Sequence, residues 1–451
     1  MSWKKILALA LLLAVLIVAI VYVDRRAKGK PAVEGTLIDM PAASVEKIEL
    51  RNKNGRFVFA LRDMQWYLVE PLAAKADKVA LESILDNFCE LKYDRLVAEN
   101  ARELEGFGLD SPEIELKLFA KGMNQPEASV MLGAKNGLDD SSYAMLAAGG
   151  KVVSIAAYKR IDLEKGLFAF RDKKFLEIDA SAVSALGYRV GDKALAFTKK
   201  NEQWLMDTPV YSLAQDAKVN DILTAASTLE ALSFAAAPDA AARRGFGLEK
   251  PLLTAEFRSA GSFRRITVGQ KGERFFAWVE GTSEICEIAK DLPDKFSGDA
   301  ALFREKKVAR FYAFDVRELA FQRGLFNFSV RKNAAGAWEF AKPAAGRKPS
   351  AEKIERLLSA LADCEAGGFI DGPRGLPGFT ARADLKVEDP ADPEKLGPVT
   401  MEFSEAEGES VIARNPALPY DFKVGKEILR KLPGRIDDIA EDATGAAGAG
   451  K

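Results

Sequence analysis

Trp66-Tyr-Leu-Val-Glu-Pro71, Trp204-Leu-Met-Asp-Thr-Pro209 and Trp338-Glu-Phe-Ala-Lys-Pro343 share one spacing, Trp-x4-Pro. The chain has only five tryptophans in 451 residues, and these three recur at intervals of 138 and 134 residues. An apolar series follows each of them. The series are Leu81, Ile84, Leu85, Phe88, Leu91; then Val219, Ile222, Leu223, Ala226, Leu229; then Ile354, Leu357, Leu358, Leu361, Cys364. Each steps as one face of an α-helix does. One structural unit is therefore written three times.

Working outward from Trp66, Val45–Leu50 and Phe57–Leu61 alternate as strands, and Asn52-Lys-Asn-Gly55 between them predicts a hairpin turn. Gln65–Val69 reads as a third strand, stopped at Pro71, which cannot donate to a sheet ladder. The amphipathic helix opens near Asp77, a good N-cap type. Trp66, Trp204 and Trp338 are expected to anchor this strand against the helix, because such rings bury large area where helix meets sheet. Gly106-Phe-Gly108-Leu109 and Gly245-Phe-Gly247-Leu248 follow, with a degenerate version at 375–379. They lack the third glycine of a dinucleotide fingerprint and open no helix, so they read as turns in which glycine supplies unusual backbone angles. More strands come next, and the first two repeats close on Phe170-Arg-Asp-Lys-Lys174 and Phe303-Arg-Glu-Lys-Lys307.

The order is strands, helix, strands, short helix. Short links favour antiparallel pairing. The expected fold class is α+β: three tandem repeats, each a mostly antiparallel sheet with helices covering a face. The expected divisions are an anchor at 1–30, modules at 31–174, 175–307 and 308–438, and a disordered Ala/Gly-rich tail at 439–451.

Ile6–Val23 is an uncharged run of mostly Leu, Ile, Val and Ala, roughly 27 Å long at helical rise. No small-x-small cleavage site follows it, so it reads as an uncleaved transmembrane helix in contact with the lipid bilayer rather than a signal peptide. Charge leaves its orientation open. Lys4 and Lys5 precede it, while Arg25, Arg26, Lys28 and Lys30 follow, yet large domains translocate regardless of local charge. Elsewhere 65 basic residues balance 66 acidic ones, with no basic stripe, which argues against a nucleic-acid partner. Cys89, Cys286 and Cys364 read as buried small side chains rather than a disulfide scaffold.

The chain has no histidine, which removes Ser-His-Asp and Cys-His nucleophile systems, histidine-containing zinc sites and the commonest general base. Ser350-Ala-Glu-Lys353 matches a Ser-x-x-Lys pattern but sits where a helix N-cap belongs. Asp139-Asp140 and Asp437-Asp438 lack calcium-loop spacing. No catalytic, cofactor-binding or metal-binding residue is assigned, and no cofactor is expected. The residues singled out are the repeat signature: Trp66, Pro71, Gly106, Gly108, Trp204, Pro209, Gly245, Gly247, Trp338 and Pro343.

The single N-terminal span, Trp-x4-Pro, the Gly-Phe-Gly-Leu turn followed by proline, the Val130-x-x-Gly133 strand end and Phe-Arg-Asp-Lys-Lys together resemble the domain of unknown function 4340 family. The resemblance covers most of the region after the anchor, is strongest from about residue 44 to 307 and is weaker in the third repeat. It implies a bacterial inner-membrane protein with its body in the periplasm, encoded beside subunits of ABC-type transporters of the gliding-motility type. It brings no catalytic residues. The expectation is a non-catalytic accessory or scaffold of a transporter, acting by protein–protein binding. The alternative is a tethered enzyme or ligand carrier working on envelope lipid or glycan through carboxylates.

Overall fold

A computed structural model describes residues 34–442, except 138, 343–345, 373–377 and 390–391. It separates into two compact units. Among the described residues, the first runs to Phe175 and takes in Leu232–Phe234; the second takes in Leu176–Ala231 and the residues from Ala235.

The first unit is built on a nine-stranded sheet in which every neighbour pair is antiparallel. Its spatial order is Ala74–Lys75, Gln65–Glu70, Gly55–Arg62, Val45–Asn52, Ile114–Ala120, Ala128–Lys135, Ser141–Leu146, Val152–Ala156, Arg95–Ala98. The chain meanders from the centre to one edge, and the Lys78–Phe88 helix then carries it to the far edge. It returns to the centre at Ile114 and meanders outward again. The helix is capped by Asp77, whose carboxylate accepts from the Ala80 amide at 2.9 Å. Its stripe of Leu81, Ile84, Leu85 and Phe88 is buried in one core with Ile48, Leu50, Phe59, Leu116 and Val130 from the sheet. The two-residue turn of the second hairpin puts Asp63 and Met64 at φ 48° and 62°, the left-handed geometry of a tight hairpin.

The second unit contains two such sheets. One has nine strands in the same order, from Ser212–Leu213 at one edge through Val183–Val190 and Leu253–Ser259 at the centre. Its helix, Asp216–Ser227, buries Val219, Ile222, Leu223 and Ala226. Its tight turn repeats the first, with Asn201 and Glu202 at φ 48° and 61°. The other sheet has eight strands around Val316–Arg323 and Phe379–Asp389, and its helix, Ala351–Ala362, buries Ile354, Leu357, Leu358 and Leu361.

Among the described residues the third sheet lacks the short edge strand that precedes the helix in the other two. In the nine-stranded sheets the amides of Ala76 and Ala214 donate to the Trp66 and Trp204 carbonyls, each at 2.9 Å. The residue just before the third helix cap is Pro349, which has no N–H to give to Trp338. The Arg347–Pro349 strand pairs instead with Ala440–Asp442.

These observations correct the α+β assignment: the molecule is mostly β, with 46% of the described residues in strands and 18% in helices. Each module has one helix of 11 or 12 residues against a sheet of eight or nine strands, so the helix is a cover and not a layer of equal weight. The expected transmembrane helix is not supported. Among the described residues no helix is long and apolar enough to cross a membrane, and Ile6–Val23 lies outside them.

Candidate functional site

The three signature tryptophans sit at the start of equivalent strands and are buried: Trp66 5%, Trp204 1% and Trp338 7% exposed. Trp204 Nε1 donates to Asn220 Oδ1 at 3.1 Å, whereas Trp338 Nε1 is buried with no partner among the described residues. Pro71 and Pro209 follow their strands through cis peptide bonds, and Pro343 lies outside the described residues. Of the turn glycines, Gly108 and Gly247 adopt φ 63° and 76°, while Gly106 and Gly245 keep ordinary backbone angles with nothing close by. The steric demand falls on Gly133 and Gly269. A Cβ there would lie 2.1 Å from the Phe107 carbonyl oxygen and 2.2 Å from that of Phe246. All these residues shape the modules, and none meets another in a cleft that suggests chemistry.

One of several concave surfaces lies in the second unit, where the chain passes from its nine-stranded to its eight-stranded sheet. The closing segment Phe303–Glu305 lies along the helix approach, with the Gln215 amide on the Phe303 carbonyl at 2.7 Å and the Glu305 amide on that of Leu213 at 2.9 Å. This buries Arg304, 4% exposed. Its guanidinium forks onto both Asp371 oxygens at 2.7 Å and lies 3.8 Å from the Phe369 ring centre and 4.7 Å from that of Tyr420. Bidentate pairing and ring stacking are what the planar guanidinium does and lysine does not. Burial pushes the Tyr420 hydroxyl up to about 12, although it accepts from the Leu213 amide at 3.2 Å. The Ala366 amide donates to the Lys306 carbonyl at 2.8 Å, and Lys307 bridges Glu365, so the two sheets are stitched by backbone as well as side chains.

Beside this junction runs an open groove of about 750 Å³. Arg310 lies along it, donating to Glu305 at 2.6 Å and to Asp216 at 2.8 Å. Tyr312 lines its rim and stacks on Phe314, with ring centres 5.4 Å apart and planes 17° from parallel. Both rings are open to solvent, 65% and 70% exposed. Lys332 donates to the Phe314 carbonyl at 3.0 Å, and Arg317, hydrogen-bonded to Glu388, holds that carboxyl below the usual range.

The buried thiols are poor nucleophiles: burial pushes Cys89 up to about 11 and Cys364 up to about 12. Among the described residues no group of acidic or cysteine side chains is arranged to hold a metal ion. The sequence reading missed both the Arg304 clasp and the Tyr312–Phe314 pair. A signal existed in the offset from the closing strings: eight residues after Arg171 stands Asp179, and eight after Arg304 stands Tyr312.

No curated protein matches the chain. Among solved structures, a DNA polymerase sliding clamp from Pseudomonas aeruginosa with ligand aligns over 86% of this chain and 93% of its own, at 6% identity and a TM-score of 0.14. A DnaN sliding clamp from the same organism, bound to griselimycin, aligns over 85% and 92%, at 8% identity and a TM-score of 0.13. Likenesses this weak carry no reading of fold or function. The family described as "Domain of unknown function (DUF4340)" matches residues 66–245 and 204–398, two overlapping stretches that span the repeats. The chain belongs to that family.

Proposed function

We propose that this protein works by binding other proteins, as a non-catalytic accessory of an ABC-type transport system, with its modules on the outer side of the bacterial inner membrane. The observation that carries this reading is the solvent-exposed, stacked Tyr312–Phe314 pair beside the groove; the direction in which the acids titrate agrees with it. Among the described residues, every carboxylate with a displaced pKa is displaced downward. In Asp77, Asp162 and Asp384, burial pushes up but hydrogen bonds from Lys173, from Lys165 and Ser83, and from Arg382 and Thr400 outweigh it. In Glu115 and Glu388, hydrogen bonds from Arg51 and Arg317 dominate directly. A general acid at neutral pH needs the reverse, a carboxyl held up by an apolar pocket. These acids are arranged to stay ionised and to hold structure. The Tyr312–Phe314 pair supplies what a binding surface needs, rigid aromatic area open to a partner.

The test is cross-linking and affinity purification of the full chain from solubilised bacterial membranes. Recovery of transporter subunits, lost on deleting one module, is the expected result. A purified chain that turns over an envelope lipid or glycan, and stops when one Asp or Glu is replaced, overturns the reading.

A further inference from the structure

The three modules approach their first central strand through equivalent short segments, and only one is aromatic. Pro41-Ala-Ala43 precedes Val45, Asp179-Ala-Ser181 precedes Val183, and Tyr312-Ala-Phe314 precedes Val316. The fold does not need rings there, since two of three copies manage with small or polar residues. The third copy keeps two rings in water, stacked face to face and mostly exposed.

The groove that Tyr312 lines carries a slight excess of acid. Five carboxylates line it against three cations. Arg310 pairs with both Glu305 and Asp216, and Arg317 pairs with Glu388. Asp315 and Glu365 remain outside the ion pairs of the described residues, with Arg317 and Lys332 within electrostatic reach of Asp315 and Lys306 and Lys307 lining the groove with Glu365. Exposed aromatic faces beside such carboxylates are what a guanidinium seeks: it stacks on the ring and forks onto the acid. The chain uses the same chemistry internally, with Arg304 on Phe369 and Tyr420 and forked onto Asp371.

We propose that the groove beside Tyr312 docks an arginine-bearing segment of a partner protein, its guanidinium laid on the Tyr312–Phe314 rings and held by Asp315 and Glu365. This rests on the binding reading above and gives that reading a surface and a chemistry.

The test uses the full chain and two fluorescent probes, a hexa-arginine peptide and a hexalysine peptide, followed by anisotropy. Hexa-arginine should bind, and the Tyr312→Ala/Phe314→Ala double variant should weaken it at least tenfold. Both rings are exposed, so the melting temperature of that variant should match the parent chain. Hexalysine should bind at least fivefold more weakly and be indifferent to ring removal, because its compact ammonium gains less from a ring. Asp315→Asn/Glu365→Gln should weaken both peptides. Equal hexa-arginine affinity with and without the rings overturns the proposal, as does no binding at all. Self-association that disappears in the ring variant also overturns it, because the occupant is then a second copy. Cross-linking in cells separates this proposal from the wider reading. Partners recovered equally by the parent chain and the ring variant sink the groove and leave the binding function standing. No partner in either, with the peptides behaving as expected, supports the groove and sinks the transporter role.

Discussion

Replacing Gly133 with alanine should be among the most damaging single-methyl changes in this protein. The new Cβ would sit 2.1 Å from the Phe107 carbonyl oxygen and 3.0 Å from the carbonyl carbon and oxygen of Gly108. All three are backbone atoms, so no rotamer change relieves the overlap. The turn cannot withdraw easily, because Gly108 already holds φ 63°. The strand cannot withdraw either, because the Gly133 carbonyl accepts from Arg160 Nη1 at 2.6 Å and that arginine is 1% exposed. Overpacking costs about 1–3 kcal/mol, and loss of a charged hydrogen bond costs about 1.5–3 kcal/mol. The structure takes the cheaper combination, so about 3 kcal/mol is expected. Gly106→Ala is the control, since its Cβ meets nothing within 4 Å; it should stay within about 0.5 kcal/mol. A chain of several sheets need not unfold in one step, so the assay is hydrogen exchange with mass spectrometry on the full chain, read in the Ile114–Ala120 and Ala128–Lys135 strands. Gly133→Ala should speed their exchange by a little over a hundredfold, at tenfold per 1.4 kcal/mol. Exchange no faster than in Gly106→Ala would refute the close-approach argument.

Trp204→Phe should cost about 1 kcal/mol more than Trp338→Phe in the same assay, because only Trp204 gives up an indole hydrogen bond, to Asn220. Met64 is 93% exposed at φ 62°, so Met64→Gly should raise stability by roughly 0.5 kcal/mol and the β-branched Met64→Val should lower it by roughly 1–2 kcal/mol. Asp162 accepts from Ser83, Asn87 and Lys165, and its folded pKa is depressed. The stability it contributes is therefore present above the unfolded value near 3.9 and lost as pH falls through the lower folded value. Melting temperatures followed downward from pH 5 should fall more steeply below about pH 4 in the parent chain than in Asp162→Asn; parallel curves would assign that carboxylate no linkage.

What the sequence made legible was local and periodic. The helix stripes needed only the 3.6-residue period, and the first hairpin only its alternation and turn. The edge strands were not legible, because Ala74–Lys75 and Ser212–Leu213 are too short to show any period. They, with the outer meanders, tip the molecule from α+β to mostly β. The glycines divided differently from the sequence reading. Both residues of Gly-Phe-Gly seemed to need special angles, yet only Gly108 and Gly247 have them, and the strict demand lies some 25 residues away, at Gly133 and Gly269. That contact is tertiary, and spacing cannot reveal it. Pro349 could have been read, since it stands just before the helix cap where Ala76 and Ala214 stand, and it forecasts a broken ladder. The candidate groove was invisible for another reason. Its significance lies in a difference between repeats, and the search for a shared signature passes over differences.

The strand registers show how this repeat spends its buried arginine. Arg304 bridges Ala214 in the second module, and Ala440 pairs with Pro349 at the corresponding position in the third. The arginine is present where a following sheet brings Phe369, Tyr420 and Asp371 to cover it; alanine stands where, among the described residues, no further sheet follows. A guanidinium taken out of water without such partners costs several kcal/mol, so this distribution is what physical chemistry requires of an arginine that joins modules. It ties the second module to the third beside the groove, whose lining comes from both. Tyr312 and Phe314 stand in water beside this junction, where the proposed arginine-bearing segment would reach them.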